Sequence, residues 1–167
     1  MLELLSYNAM LFALLSMLCT SIQQTYIDPT IVPHYKSEFG VDDEELGTLL
    51  LFLGLGTVAG ALLAMAMQSC MPHHYPLLLG NFVLGVAVYL VAPATHKGSL
   101  ESSVAALYVT GVSHNLISVP MMTVIFDALK RDYEGHDQAI KDYIAVFVYF
   151  ANSSGQFIGP IVGSTLT

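Results

Sequence analysis

Leu46–Met67 reads LGTLLLFLGLGTVAGALLAMAM, a run without a single Asp, Glu, Lys or Arg. About 18 consecutive apolar, uncharged residues are enough for a helix to cross a bilayer. The run opens a longer charge-free window, Leu46–Tyr89, divided by the turn-like segment Gln68–His74 (QSCMPHH). Leu4–Ile27, Ser102–Phe126 and Tyr143–Thr167 are charge-free as well, and the chain's 5 basic and 13 acidic residues cluster between these windows. At membrane depth every backbone group must be paired within its own segment or a closed barrel, so an open sheet is excluded. The expectation is an all-α, polytopic membrane bundle of five spans, near residues 4–27, 46–67, 75–91, 102–126 and 143–167.

The composition agrees. Of 167 residues 54% are hydrophobic and 11% charged, against roughly 25% charged in an ordinary soluble domain. The mean hydropathy is +0.64. A net charge of -8 leaves no basic stripe to neutralise phosphates, which argues against nucleic acid as a partner. Asp28, Glu38, Asp42, Asp43, Glu44 and Glu45 fall in one stretch with only Lys36 against them. That stretch reads as a solvated loop or as a surface that gathers cations. Cys19 and Cys70 stand at different expected depths, which argues against a bridge. The N-terminus lacks the basic start and short apolar core of a signal peptide. The 127–142 stretch carries Lys130, Arg131 and Lys141, the opposite side Lys36 and Lys97, so the basic bias sets the former in the cytoplasm.

Helix one is expected to stop at Asp28-Pro29, because proline disfavours helix at the residue before it. Within the spans, polar residues recur at helical spacing. Ser16, Thr20, Gln23 and Gln24 do so in helix one, and Asn81, Gly85 and Tyr89 in helix three. Helix four has Tyr108, Gly111, Asn115 and Ser118, and helix five Tyr149, Asn152, Ser153 and Gln156. Each stripe can be interhelical glue, worth about 0.6–2 kcal/mol per contact. Four such stripes together suggest a shared aqueous cavity. His114 lies at the middle of helix four. It is either a proton-exchanging group, given the ordinary histidine pKa of about 6.5, or a neutral ring bonded to a neighbour. Asp28 is either a partner for a cation or proton, or an exposed helix-end carboxylate. His73 and His74 read as a solvated turn, with no third ligand for a metal. Gly56-x-x-x-Gly60 permits close helix approach. Gly155, Gly159 and Gly163 overlap Pro160, while Pro120 interrupts helix four, a pattern suited to helices that bend.

Three stretches carry a family resemblance. Ile27-Asp28-Pro29-Thr30-Ile31-Val32-Pro33-His34, with Phe39 and Leu46-Gly47, is the first. Gly111-Val112-Ser113 through Val119-Pro120 is the second, and Gly155-Gln156-Phe157-Ile158-Gly159-Pro160-Ile161-Val162-Gly163 the third. Together they resemble helices seven to eleven of major facilitator superfamily transporters, in the vesicular amine and polyamine branch. The third stretch is similar to that branch's antiporter glycine-proline motif. The resemblance implies proton-coupled antiport of a small organic cation, with no cofactor, metal or covalent chemistry. It implies that Asp28 attracts cation or proton, that His114 relays a proton, and that Asn115, Tyr108, Gln24, Asn152 and Gln156 line the pathway. Gly155, Gly159, Pro160, Gly163 and Pro120 would shape the gating and packing of the helices. The bilayer and a six-helix N-terminal half are the implied partners, and Thr167, inside an apolar run, reads as the end of a fragment. Two positions depart from the pattern. Gln68–His74 lacks the carboxylate and basic residues of the family's gating turn, and Ser164 replaces the last glycine of the glycine-proline motif. Those departures keep open a non-transporting scaffold or a truncated product derived from a transporter.

Overall fold

A computed structural model of the chain describes residues 2–91, 99–130 and 137–166. Among them are five helices, α1 (Leu2–Phe39), α2 (Asp43–Cys70), α3 (His74–Val91), α4 (Leu100–Lys130) and α5 (Asp137–Leu166). Each contains a stretch long and apolar enough to cross a membrane. The link carrying Lys97 and the whole segment 131–136 between α4 and α5 lie outside the described residues. With a three-residue turn at Met71–His73 between α2 and α3, successive spans alternate in direction.

The first helix corrects the expectation drawn from Asp28-Pro29. Instead of ending there, α1 runs eleven residues further, through both Pro29 and Pro33, to Phe39. Each proline removes one amide from the helical ladder. What holds the helix past them is the apolar repeat Ile27, Ile31 and Tyr35, one residue per turn. All three are buried, in a cluster with Val41, Leu46, Val91, Ala106 and Leu107. The chain reverses only at Gly40, whose φ of +66° falls in the left-handed region that glycine enters without a Cβ clash. Beyond it the Val41 amide donates to the Tyr35 carbonyl at 3.3 Å. The expected acidic loop is therefore mostly helix. Lys36 at the end of α1 pairs with Asp43 at the start of α2.

The fifth helix also starts earlier than its charge-free window. Ile140, Ile144, Val148 and Ala151 form its buried stripe, and that repeat extends the helix back into the charged stretch. Near its start Lys141 lies 6.0 Å and Lys130 of α4 5.7 Å from the centre of the Phe126 ring.

The packing centres on α4, which touches all four other helices, while α1 and α5 form a second close pair. Glycine makes both seams tight. A Cβ on Gly56 would strike the Tyr108 carbonyl and one on Gly60 the backbone of Val112, while one on Gly111 would strike the Leu53 carbonyl. On α5, Gly155 lies on Leu18 and Ser21, Gly159 on Ile22 and Thr25, and Gly163 on Pro29. Four-residue spacing keeps these glycines on one helix face; along α2–α4 backbone meets backbone, and along α1–α5 the glycines make room for Ser21, Thr25 and Pro29 as well as for the α1 backbone.

Replacing Gly60 by valine should cost about 1–3 kcal/mol of stability, the usual range for overpacking. Gly54 has open space where its Cβ would stand, so Gly54→Ala should change stability by less than about 1 kcal/mol. Thermal unfolding of the detergent-solubilised chain checks the contrast. Equal midpoints for the two variants would contradict the α2–α4 seam.

Candidate functional site

Two apolar clusters divide the bundle by depth. One joins Ala13 and Met17 of α1 to Ile117, Met121 and Ile125 of α4 and to the buried stripe of α5. The other joins Ile27, Ile31 and Tyr35 to Ala106 and Leu107. Between them lies a polar belt: Thr20–Gln24 on α1, Thr110–Asn115 on α4 and Asn152–Gln156 on α5, with Thr57 of α2 alongside. Antiparallel register sets Gln24 at the depth of His114 and Asp28 at about that of Thr110, because Met17 clusters with Met121 and Tyr35 lies beside Ser103.

Many of the belt's polar groups are already committed. Thr20 donates to the Ser16 carbonyl at 2.6 Å, Ser16 to Phe12 at 2.8 Å and Ser113 to Val109 at 2.7 Å, each within its own helix. Such bonds satisfy a hydroxyl at membrane depth without any cavity. Two further groups join helices. The Ser21 hydroxyl donates to Asn152 Oδ1 at 2.7 Å across α1–α5, and Asn115 Nδ2 donates to the Thr57 carbonyl across α4–α2. Asn115 and Asn152 are thus clasps beside the belt's open side. Ser21 and Thr57 were missed from the polar stripes, although the small-residue spacing of the facing helices marks the same seams.

The remainder stays available. His114 is half-buried, and its Nε2 lies 3.5 Å from the Ser118 hydroxyl one turn away. Gln24 and Gln156 are exposed, and Tyr108 is 37% exposed. The α5 helix shows two separate outer faces. Phe150, Phe157 and Ile161 form an apolar one, whereas Tyr149, Ser153, Gln156 and Pro160 recur every three or four residues on a second, polar one. Pro160 thus opens outward on that polar face, while Pro120 is buried within an unbroken α4. Thr110 is different again. It is buried, and its hydroxyl has no partner, a state uncommon enough in folded chains to call for an explanation.

Asp28 takes a new place. With α1 continuing to Phe39, its backbone lies inside the first span, one turn beyond Gln24 on the same stripe. The helix-end position expected for it does not hold. The stripe on helix three departs from expectation as well. The α3 helix barely touches α1 and has no close packing on α5. Asn81 donates to its own Leu77 carbonyl at 2.8 Å, and Gly85 and Tyr89 face outward, away from the belt. Among the described residues no three His, Cys, Asp or Glu side chains converge as a metal site.

These features define a multi-pass integral membrane protein whose spans enclose a polar layer at mid-depth. The Major Facilitator Superfamily model matches residues 13–167. The chain belongs to that family, whose members are transporters rather than enzymes. No curated protein and no solved structure matches it.

The α1–α5 clasp can be weighed directly. A double-mutant cycle of Ser21→Ala and Asn152→Leu should return a coupling of about 0.6–1.7 kcal/mol, the range for hydrogen bonds between membrane helices. Reversible unfolding in micelles is the measurement, and strictly additive effects would mean that the two side chains do not bond.

Proposed function

We propose that the chain is the C-terminal portion of a secondary transporter of the vesicular amine and polyamine type, exchanging a small organic cation for protons. The observation that carries this reading is Asp28 within the first span. An ionisable residue at membrane depth is costly unless it serves an ion or substrate pathway. Asp28 stands on one α1 stripe with Gln24, at the depth of a buried α4 hydroxyl, Thr110, that has no partner. One more helical turn along α4 lies His114. In this reading Asp28 attracts the cation or proton and His114 passes a proton along the belt. Gln24, Tyr108 and Gln156 present hydrogen-bonding groups to the solute, while Asn115 and Asn152 hold the walls. Gly155, Gly159, Pro160 and Gly163 let α5 slide and bend against α1, and Pro120 weakens the α4 ladder in the same layer. A six-helix N-terminal half would close the far side of the cavity, with the substrate near the bilayer midplane.

One feature favours a second reading, a membrane scaffold derived from a transporter. The α2–α3 turn, Met71-Pro72-His73, offers no carboxylate or arginine to lock a closed state. The two readings differ in a transport measurement. Vesicles containing the protein with its N-terminal half should take up labelled monoamine or polyamine when a pH gradient is imposed. Asp28→Asn and His114→Ala should each lower that uptake at least about tenfold, the effect of losing an interaction worth about 1.4 kcal/mol. Gradient-independent membrane insertion should be unchanged. No uptake by the unaltered protein would favour the scaffold, and uptake unaffected by either substitution would remove both residues from the pathway.

A further inference from the structure

Buried hydroxyls in this bundle follow a rule. Ser16, Thr20, Thr30 and Ser113 each donate to the carbonyl four residues earlier in their own helix, and Ser21 donates to Asn152. Tyr35 lacks a bond but stands beside Ser103. Thr110 breaks the rule. It is 4% exposed, and its hydroxyl bonds neither the Ala106 carbonyl one turn back nor any other group.

The neighbours of Thr110 offer it little. Gly56 and Gly60 of α2 press on Tyr108 and Val112, which helical geometry sets on the opposite side of α4. Gly80 of α3 stands against Leu116 and Ile117. That register brings Leu84 and Ala87 near the depth of Thr110, and both are buried and apolar. An ordered water needs two to four polar partners, and none of these residues supplies one. The α1 helix is the one that brings polar residues to this depth, with Asp28 at the level of Thr110 and Gln24 one turn away. A bare hydroxyl here is a cost the packing does not require, since valine would fill the same space without it. Its partner is therefore a group that comes and goes.

We infer that the Thr110 hydroxyl is a specificity-determining contact for the transported cation, accepting one N–H of an ammonium whose charge Asp28 meets, so that amines bearing N–H groups are favoured over quaternary ones. The inference rests on the reading of Asp28 proposed above. A primary ammonium carries three N–H donors, and a carboxylate on one side of it cannot receive them all. Away from water, a donor without an acceptor forfeits the bond it had in solution. The Thr110 oxygen has two free lone pairs to offer it. A quaternary ammonium has no N–H, so it leaves the hydroxyl as bare with the solute bound as without it.

The test measures uptake into vesicles that contain the protein with its N-terminal half, under an imposed pH gradient. The labelled solutes are butane-1,4-diamine and 2-phenylethylamine, each beside its fully N-methylated quaternary counterpart of equal charge. For the amine that is taken up, KM should be at least about tenfold lower than for the quaternary form, the effect of a hydrogen bond from a charged donor. Thr110→Val should erase that ratio by raising the KM of the amine alone, and Thr110→Ser should keep it. Equal KM values in the unaltered protein would overturn the inference. So would a ratio that survives Thr110→Val, which is the mark of steric exclusion of the methyl groups. Thr110→Val should unfold at the same temperature as the unaltered chain or higher, because it removes a buried polar group without a partner. A lower midpoint would mean that the hydroxyl is bonded within the fold, and would also overturn its assignment to the solute. Uptake of neither amine would instead remove the amine-transport reading itself, and this contact with it.

Discussion

Close helix approach at glycine is the interaction on which this bundle depends. In lipid no hydrophobic force drives one apolar helix against another, so packing must come from close approach and from hydrogen bonds between helices. Gly56, Gly60 and Gly111 bring α2 and α4 together, and Gly155, Gly159 and Gly163 do the same for α5 and α1. The closeness of those seams sets the reach of everything else. Ser21 can bond Asn152, and Asn115 can bond the Thr57 carbonyl, only because the backbones already lie within side-chain length. Both clasps sit in the polar belt, so the belt's walls are fixed by the same glycines that let the helices approach.

The α3 helix shows the contrast. Only Gly80 lies in close contact, against Leu116 and Ile117 of α4, while Gly85 has open space around it. With a seam to α4 and nearly none to α1, the third helix stays at the margin of the bundle. Polar stripe and cavity lining are therefore different properties. Asn81, Gly85 and Tyr89 have the spacing of a lining face, but their helix does not stand where a cavity can reach it.

The number of membrane-length helices was legible in the sequence because charge avoidance over about 20 residues is imposed by the bilayer itself. The ends were less so. At Asp28-Pro29 a local rule, the clash of proline with a preceding helical residue, competes with burial of Ile27, Ile31 and Tyr35, and the longer-range term prevails. The clue was present in that four-residue repeat, but its weight depends on Ala106 and Leu107 being opposite, which spacing within one helix does not reveal. The site was legible in type and not in pairing. Asn115, Asn152 and Ser113 all look alike as polar residues in apolar runs. One clasps α2, one clasps α1 and one bonds its own helix, and only the seams decide which.

The extension of α1 alters the electrostatic argument most. A carboxylate at the end of a helix is hydrated and carries little cost, so it says little about function. Eleven residues inside the helix, the same carboxylate belongs to a span about 45 Å long by helical rise, against a hydrocarbon core of about 30 Å. The belt at Thr20–Gln24 marks the middle of that span's packed part, and Asp28 is about one to two turns above it. Asp28 falls just past the first charge-free window, with Lys36 about two turns further along α1, and under the proposed reading its charge is met by a proton or by a bound cation. These are the two species that the proposed antiport would exchange. Under that reading a carboxylate that met its charge with either, but not with both at once, would couple their movements, and His114 would set the route of the proton rather than the exchange itself.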